Sequence, residues 1–277
     1  MRRVSQVVLI LFVSALLFLV IAFLPAHIPE LRHFEDDERL RVTAVPLWIN
    51  GNAGFADYPG SGNETHPYII ADLLINGISG LYCIRITHTN VFFVVQNCTL
   101  TNASAGLDLV NITHGMIYNN TISHQMIGIR LDTSLNNTIT ECIIKYNYFG
   151  VHLSHADNNT LLGNTIIYNG LPRYAEDLPE SGVYLSGSHN NTIESNNISY
   201  NGLYGLKFSL SHDNTIKKNT LHCNGDGAWS ETFCTGNSFT GNDVVDCKAI
   251  RGFQWFIVSG ALLLLSSIYG IRRKVAS

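Results

Sequence analysis

The sequence predicts an all-β solenoid, a parallel β-helix whose short strands stack coil upon coil, and three observations predict it. A Gly-apolar-any-apolar tetrad recurs along the middle of the chain, an Asn-Asn-Thr marker runs in phase with it, and asparagine is abundant where helix-forming residues are sparse. The tetrad begins at Gly106, Gly128, Gly150, Gly182 and Gly205. A repeat of this length indicates units that bury their apolar sides against their neighbours.

The composition excludes several classes of protein. Charged residues make up 14% of the 277, against about 25% in soluble globular proteins, and the net charge is −4. The sequence contains no basic block, so it offers no footprint for nucleic acid. Asparagine occurs 27 times, while lysine, glutamate and alanine are scarce, so an all-helical soluble enzyme is excluded.

The N-terminal segment, residues 1–27, has the features of an export signal or a membrane anchor. Arg2 and Arg3 precede a run of uncharged residues from Val7 to Leu24, about the shortest length that spans a hydrocarbon core of roughly 30 Å. Pro25 follows the run. A cleaved signal peptide and an uncleaved anchor both fit this layout, and both export the chain that follows.

The C-terminal segment, residues 252–271, predicts a transmembrane helix. Phe253 to Ile271 carries no charge, and a basic tail, residues 272–277, follows it directly. Positive flanks stay on the cytoplasmic side of a membrane, so both ends of the chain predict the same topology. The predicted location is the cell membrane, with the middle of the chain extracytoplasmic and both termini cytoplasmic if the first span is uncleaved.

The repeat gives the length of one coil. Successive tetrads lie 22, 22, 32 and 23 residues apart, and the long interval is one period plus a ten-residue insertion, residues 171–180. Each period holds short alternating apolar and polar stretches separated by Asn, Gly and Ser, which is typical of strands and turns. Three short strands and three bends fit into 22 residues, which predicts about seven to eight coils.

Two columns of amide side chains support the stacking. The first contains Asn97, Asn120, Cys142, Asn164, Asn196, Asn219 and Asn242, and the second contains Asn102, Gln125, Asn147, Asn169, Asn201, Asn224 and Cys247. Amides stacked at about 4.8 Å can hydrogen-bond from coil to coil. Asparagine also tolerates the left-handed backbone of a sharp bend.

Taken in order, these motifs resemble a known family. The succession Asn-Asn-Thr-Ile, Asn, Asn-Gly and Gly-Ile-any-Leu resembles the right-handed parallel β-helix repeat of NosD-like periplasmic copper-binding proteins and of carbohydrate-binding and sugar-hydrolase β-helix proteins. Residues 60–70 resemble the segment that enters the first coil of such proteins. The resemblance covers residues 48–247 and implies a right-handed solenoid, but it is specific for fold and not for activity.

The predicted organisation therefore has five parts. Residues 1–27 form the signal or anchor, residues 28–67 the juxtamembrane stretch and N-terminal cap, residues 68–247 the β-helix, residues 252–271 the C-terminal transmembrane helix, and residues 272–277 the cytoplasmic tail.

The cysteines and sequons give expectations that apply to an exported chain. Cys142 and Cys247 fall in the amide columns and are expected to be small buried residues. Cys223 and Cys234 flank an irregular, Gly-rich stretch and are the candidate disulfide. Of nine Asn-x-Ser/Thr sequons, several belong to the repeat and are expected to point inward, so Asn63, in a polar loop, is the candidate glycosylation site.

The tetrads place one residue per coil on a common outer line, which we call the stripe. Alternate residues of a strand face opposite sides, so these residues are expected to face solvent. The stripe consists of Arg85, Asp108, Arg130, His152, Tyr184 and Lys207. The insertion, with Arg173, Glu176 and Asp177, emerges just before Gly182 and can overhang the stripe. A long shallow groove with hydrogen-bonding and aromatic groups suits an extended sugar polymer.

Three interpretations of the stripe remain open. It can be a binding surface for a glycan, a catalytic site, or a solvated strand face with no further role. A glycosidase needs two carboxylates, of which the stripe offers only Asp108. A lyase or epimerase needs a base and a neutralising cation, which His152 or Tyr184 could supply with Arg130. Lys207 completes the candidate catalytic residues.

The copper-binding resemblance points to a third role. Asp157, His189 and His212 share one column, just before the Asn-Asn-Thr bend, and neighbours at about 4.8 Å can converge on an ion. Imidazole and carboxylate suit copper or zinc, and the resemblance favours copper. No other cofactor is expected.

The sequence as a whole favours the first role. It predicts a membrane-anchored, extracytoplasmic module that binds surface polysaccharide or envelope proteins, or has a structural role there, and does not catalyse a reaction. The membrane is an expected partner and nucleic acid is not. A carbohydrate-active enzyme using residues 108–207 is the alternative, and a NosD-like copper-accessory protein is the second alternative.

Overall fold

The computed structural model describes residues 42–78, 80–171 and 180–247, which form a right-handed parallel β-solenoid of about seven turns. The expected all-β fold and its coil number are therefore confirmed. The segments 1–27 and 252–271 and the tail 272–277 lie outside these residues. Within the described ranges, no helix is long and apolar enough to cross a membrane.

Across the described ranges, the solenoid is built from 25 short strands. In chain order they are β1 (Val42–Ala44), β2 (Leu47–Asn50), β3 (Tyr68–Ala71), β4 (Leu73–Asn76), β5 (Tyr82–Thr89), β6 (Phe93–Gln96), β7 (Thr99–Thr101), β8 (Ala105–Ile112), β9 (Gly115–Tyr118), β10 (Thr121–Ser123), β11 (Ile127–Asp132), β12 (Thr138–Thr140), β13 (Ile143–Lys145), β14 (Phe149–Ser154), β15 (Thr160–Leu162), β16 (Thr165–Ile167), β17 (Val183–Ser186), β18 (Thr192–Glu194), β19 (Asn197–Ser199), β20 (Tyr204–Ser209), β21 (Thr215–Lys217), β22 (Thr220–His222), β23 (Gly227–Thr232), β24 (Ser238–Thr240) and β25 (Asp243–Val245).

Every third strand joins the same sheet, because each turn of the solenoid contributes one strand to each of three parallel sheets. The sheets run β1-β4-β7-β10-β13-β16-β19-β22-β25, β2-β5-β8-β11-β14-β17-β20-β23 and β3-β6-β9-β12-β15-β18-β21-β24. We call the second of these the long-strand sheet. Seven complete turns run from β3 to β23, and parts of a turn precede and follow them.

The core is a set of apolar columns inside the solenoid. In the long-strand sheet Ile129 pairs with Val151, which pairs with Val183, and all three are fully buried. The strands are short and alternate inward and outward residues, so one buried residue of each strand meets its equivalents above and below. The apolar residues of the repeat therefore form one continuous core with no helix needed to cover it.

Amide ladders hold the bends of successive turns together. Asn164 shows the pattern: its Oδ1 accepts the Cys142 N–H at 2.9 Å, and its Nδ2 donates to the Ile139 carbonyl at 2.8 Å and to Asn196 Oδ1 at 2.9 Å. The same contacts repeat down the first ladder, whose members are Cys98, Asn120, Cys142, Asn164, Asn196, Asn219 and Asn242. The ladder satisfies backbone groups at bends that the sheets leave unpaired.

Both predicted amide columns need a correction of one residue at their N-terminal ends. Cys98, not Asn97, stands above Asn120, and Ala103, not Asn102, stands above Gln125. Asn97 and Asn102 instead have φ of 56° and 59°. The residue just before each ladder position takes the left-handed conformation, for which asparagine is also favoured, so the two roles are adjacent in sequence.

Two further ladders follow the third bend of each turn. The second asparagine of the Asn-Asn-Thr marker forms one of them, with members Asn137, Asn159, Asn191, Asn214 and Asn237. Small side chains form the other, with members Ser134, Ala156, Ser188, Ser211 and Cys234. The marker thus recurs because its second residue is a ladder residue.

The glycine that opens each tetrad is required by close contact between turns. A Cβ on Gly128 would lie 2.5 Å from the Gly150 carbonyl oxygen and 3.0 Å from Nδ2 of the ladder residue Asn147. No other residue fits there without moving the next coil, which explains why the tetrad begins with glycine.

The cysteines only partly follow the expectations. Cys142 is a buried ladder residue, as predicted, and burial raises the pKa of its thiol to about 11. The predicted Cys223–Cys234 disulfide is wrong, because Cys223 is bonded to Cys247. Cys234 is a free thiol and belongs to the ladder of small side chains. Cys247 is therefore not a buried filler: the turn of the solenoid brings it beside Cys223, 24 residues earlier.

The N-terminal end of the core lies under residues 42–67. β1 and β2 pair with β4 and β5, and a 3₁₀ turn, Asn52–Phe55, follows them. Phe55 is fully buried and stacks on Tyr68 and Phe93 at centroid distances of 5.2 and 5.3 Å. These rings close the open end of the apolar column.

The sequons of the repeat face outward, which corrects the expectation that several point inward. Asn136, Asn158 and Asn190 are exposed, and it is the following asparagine that is buried in the ladder. Asn63 is also exposed, and its Oδ1 accepts hydrogen bonds from the backbone of Thr65 and His66. Glycosylation at Asn63 stays a prediction.

The ladder predicts a specific loss of stability. Asn164→Ala leaves the Cys142 N–H and the Ile139 carbonyl buried without their partner, so we expect the free energy of unfolding to fall by about 3 kcal/mol. Urea denaturation followed by circular dichroism measures it. The control is Asn158→Gly at an exposed left-handed position, which should cost less than about 1 kcal/mol. Equal losses in the two variants would contradict the ladder's role.

Candidate functional site

The stripe lies on the outer face of the long-strand sheet, one residue per turn. Its members occupy matched positions in the register: Arg85 with Asp108, Asp108 with Arg130, Arg130 with His152, His152 with Tyr184, and Tyr184 with Lys207. The tetrad alignment thus brought together the right six residues. The register also adds Trp48 before Arg85 and Ser230 after Lys207.

Trp48 is an addition that the tetrad search missed. Its indole is 64% exposed and it stands beside Arg85 at the N-terminal end of the stripe. The segment Leu47-Trp48-Ile49 keeps the apolar-any-apolar part of the tetrad but has no preceding glycine, so a search on the apolar pair alone would have found it.

Asp108 is the centre of a charge cluster. Arg130 Nε donates to its Oδ1 at 2.7 Å, and Arg85 Nη1 lies 3.4 Å from its Oδ2. The side chain of Asp108 is only 6% exposed, because the two guanidinium groups cover it, so the expectation that it faces solvent is wrong. The arginines are about one third exposed and present the outward surface.

Aromatic rings continue the stripe beyond the charge cluster. The His152 and Tyr184 rings are stacked, with centroids 5.0 Å apart and planes within 10°, and Phe149 packs against both at 5.6 and 6.2 Å. Lys207 Nζ lies 5.0 Å from the centroid of Tyr184. Because the ring faces of His152 and Tyr184 meet one another, those faces are not available to stack on a ligand.

The C-terminal end of the stripe contains a second ion pair. Lys207 Nζ lies 3.7 Å from Glu180 Oε2, and Glu180 is the last residue of the insertion. The insertion residues Arg173, Glu176 and Asp177, which are expected to overhang the stripe, lie outside the described residues.

Unsatisfied polar atoms concentrate on and beside the stripe. Within the described ranges, four buried side-chain polar atoms have no hydrogen-bond partner: Arg85 Nε, His152 Nε2, Glu180 Oε2 and Ser181 Oγ. Two belong to stripe residues, and Glu180 and Ser181 immediately precede the strand that carries Tyr184. The other buried side-chain nitrogen and oxygen atoms of the described residues are paired, as in proteins generally, so the exceptions single out this surface.

The imidazole of His152 is held in its neutral form. Burial lowers its pKa from the ordinary value, the Arg130 guanidinium lowers it further, and Asp132 acts weakly in the opposite direction. A neutral imidazole can accept a hydrogen bond or a proton, so His152 can serve as a binding group or as a base. Arg130 is in the neighbouring strand and can neutralise a ligand carboxylate.

The arrangement does not favour glycoside hydrolysis by paired carboxylates. Asp108 is bound by two arginines and Glu180 is paired with Lys207. Both carboxylates are therefore engaged in ion pairs, and they do not form the pair of facing carboxyl groups that a glycosidase needs.

The residues of the predicted metal column form a hydrogen-bonded ladder. Asp157 Oδ1 accepts the His189 N–H at 2.7 Å, His189 Nδ1 accepts the His212 N–H at 3.1 Å, and His212 Nδ1 accepts the Thr235 N–H at 3.0 Å. The imidazoles stack at 5.1 Å rather than converging. No group of three His, Cys, Asp or Glu in the described part of the chain is arranged to hold a metal ion.

Comparisons with known proteins agree with the fold. The model of the family described as "Right handed beta helix region" matches residues 82–244 and 173–267. A search among curated proteins finds no match.

Solved structures match over more than half of the chain. The periplasmic alginate epimerase AlgG matches at a TM-score of 0.51 and 18% identity, over 61% of this chain and 45% of that chain. A single-site mutant of AlgG matches at 0.55 and 18% identity, over 63% and 45%. An alginate lyase from Paenibacillus sp. matches at 0.48 and 12% identity, over 72% and 99%. The matched region spans less than half of the epimerase, and identities this low show the fold alone.

The lowered pKa of His152 predicts an acid-sensitive stability. As the pH falls below about 6.5, the unfolded chain binds a proton at this imidazole before the folded chain does, so the free energy of unfolding decreases. The variant His152→Gln should show a shallower loss between pH 7 and pH 5 in urea denaturation. At pH 8, where the imidazole is uncharged in both states, the difference in the free energy of unfolding between the variant and the parent reports packing alone. If the free energies of the two proteins changed in parallel over the whole pH range, the prediction would be contradicted.

Proposed function

The chain belongs to the right-handed β-helix family, and from this premise we propose that it is a membrane-anchored, extracytoplasmic module that binds an extended surface glycan along the stripe without cleaving it. The matched family model covers more than half of the chain. The fold supplies the long flat face, and the residues on that face supply the binding groups.

The observation that carries this proposal is the set of unsatisfied polar atoms along the stripe. Arg85 Nε can donate a hydrogen bond, and Glu180 Oε2, which is ion-paired with Lys207 at 3.7 Å but accepts no hydrogen bond, can accept one. His152 Nε2 and Ser181 Oγ are the other two members of the set. A sugar hydroxyl is both donor and acceptor, so one type of ligand group can pair with donors and acceptors alike. Because the four atoms are buried, it reaches them only when the side chains that carry them turn toward the ligand.

The spacing of the stripe suits a polymer. One residue of the stripe follows another at the strand spacing of about 4.8 Å, which is close to the length of one pyranose unit in an extended chain. A polysaccharide lying along the solenoid axis therefore meets one stripe residue per sugar. The guanidinium groups of Arg85 and Arg130 and the ammonium of Lys207 favour a polymer that carries carboxylates.

The proposed location rests on the two apolar segments of the sequence, 1–27 and 252–271, which lie outside the described residues. Their basic flanks support cytoplasmic ends and an extracytoplasmic solenoid. Surface polysaccharide or envelope proteins are the partners that such a module meets. Protease added outside intact cells is expected to reach the solenoid, and protection from it would contradict this topology.

Binding along the stripe predicts a selective effect of one lysine. Lys207→Gln removes an ammonium group from the stripe, so we expect affinity for polyuronates such as polymannuronate to fall about tenfold. Microscale thermophoresis on the full-length protein, in a detergent without a sugar headgroup, measures it.

A matched lysine on another sheet provides the control. Lys217 is 37% exposed against 33% for Lys207, and it pairs with Glu194 at 3.1 Å as Lys207 pairs with Glu180. Lys217→Gln should leave polyuronate affinity unchanged. Equal losses in both variants indicate attraction by net charge alone, and no binding by the parent protein rejects the proposal.

A second candidate function, a uronate lyase or epimerase, is favoured by His152. Its imidazole is neutral, its Nε2 is unpaired, and Tyr184 and Arg130 flank it in the neighbouring strands. An imidazole base beside a cation that neutralises the sugar carboxylate is the arrangement needed to remove the proton next to that carboxylate.

Catalysis and binding give different products. A lyase generates an unsaturated sugar that absorbs in the ultraviolet, and an epimerase changes the proton NMR spectrum of polymannuronate. Neither change is expected from a binding module. If either is seen, and if His152→Gln and Tyr184→Phe abolish it while Lys217→Gln does not, the catalytic function replaces the binding function.

A further inference from the structure

A second polar surface lies beside the N-terminal end of the stripe. It is a shallow depression of about 510 Å3, within the range of small-molecule pockets. Its lining residues are Asn52, His88, Thr89, Asn90, Asn111 and Thr113. Five of them lie at the end of β5 or just after it, and at the equivalent positions of β8.

The depression is built by contact between the N-terminal cap and the first full turn. Asn52 Oδ1 accepts from Thr89 Oγ1 at 2.7 Å and from the Asn90 N–H at 3.3 Å, and Asn52 Nδ2 donates to Asn90 Oδ1 at 2.9 Å. Thr89 is buried, so this wall is fixed. β5 and β8 each have eight residues, whereas β11, β14 and β20 have six, so among these strands the two that line the depression are the longest.

Several hydrogen-bonding groups at the depression have no partner within the described ranges. The side-chain amide of Asn111 makes no hydrogen bond there, nor does Asn90 Nδ2, although Asn90 Oδ1 is bonded to Asn52. His88 uses only Nδ1, which lies 3.3 Å from Asn50 Oδ1. These groups include donors and acceptors, which is what a ligand with several hydroxyl groups requires.

The chemistry of the lining excludes a charged ligand as the preferred one. The six lining residues are amides, hydroxyls and one imidazole, with no carboxylate, ammonium or guanidinium among them. A pair of stacked rings, Phe92 and His114, also lies next to the depression, with ring centroids 4.4 Å apart. The pair adjoins the lining residue Asn90, because His114 Nδ1 lies 3.2 Å from the Asn90 carbonyl oxygen. Amides, hydroxyls and a ring together fit a pyranose.

We infer that this depression binds one neutral sugar residue. His88 and Asn111 follow Arg85 and Asp108 of the stripe by three residues in the same strands, which is about 10 Å. A neutral branch on a polymer lying along the stripe can therefore reach the depression. That placement rests on the proposed function, whereas binding of the sugar itself does not.

The test uses free monosaccharides and the full-length protein in a detergent without a sugar headgroup. Saturation-transfer NMR with glucose, galactose, mannose and glucuronate should give a signal for at least one neutral sugar and a weaker one for glucuronate. Asn111→Gly keeps the left-handed backbone, whose φ is 51°, and removes the amide, so the neutral-sugar affinity should fall about tenfold. Thr113→Val, which removes one hydroxyl, should also weaken binding.

Two controls separate the depression from the fold and from the stripe. Thr133 occupies the left-handed position one turn after Asn111, also at φ 51°, and does not line the depression, so Thr133→Gly should leave sugar binding unchanged. Lys207→Gln should also leave it unchanged, even though it weakens polyuronate binding.

Three results would overturn the inference. The first is that no neutral sugar gives a signal, the second is that Asn111→Gly and Thr133→Gly reduce the signal equally, and the third is that the protein prefers glucuronate. Because Asn111-Ile112-Thr113 is a sequon, a glycan found on Asn111 by mass spectrometry of the native protein would also overturn it, since the covalent sugar would fill the depression. Each of these results leaves the Lys207 test of the stripe intact.

Discussion

The hydrogen bond from a ladder side chain to the backbone of the previous turn is the interaction on which the rest of the solenoid depends. A sharp bend removes its N–H and C=O groups from the sheets, and a buried bend has no water to replace the lost partners. Asparagine solves both problems with one side chain: at Asn164 the oxygen accepts a backbone N–H and the nitrogen donates to a backbone carbonyl. Where cysteine or alanine takes the position, as at Cys98 and Ala103, the next residue down the ladder still supplies the acceptor.

The ladder also determines how the outer face is arranged. Since it fixes the register between turns, every outward residue lies directly above its equivalent one turn later. Arg85 and Arg130 can therefore close on Asp108 from both sides, and His152 can stack on Tyr184. A loop-based site would have to order each of these side chains separately, whereas here the rigid sheet has already placed their backbones.

The sequence predicted the periodic part of the molecule and missed the parts that depend on a single contact. Tetrads and markers recur, so the sheets and the stripe follow from spacing alone. The partner of Cys223 does not recur, and it could not be chosen over Cys234 without knowing where the last turn ends. The burial of Asp108 depends on two neighbouring arginines folding over it, and the depression depends on Asn52, a cap residue outside the repeat. The ladder and left-handed positions are adjacent and both favour asparagine, so a search for that residue alone cannot separate Asn97 from its neighbour.

Regularity by itself does not indicate function in such a molecule. Tyr146, Tyr168 and Tyr200 form an outer stack with centroids about 5.5 Å apart, although each has a positive φ that is unfavourable for a large side chain. Stacking contributes about 0.5–1.5 kcal/mol per pair and so offsets part of the cost of the left-handed backbone, which is about 1–2 kcal/mol per residue. The side chains of this column contact one another, as do those of the His189 and His212 ladder. The stripe differs because two of its buried polar atoms, Arg85 Nε and His152 Nε2, have no hydrogen-bond partner among the described residues. This shortfall, rather than the repetition, is the physical ground on which we propose a ligand there.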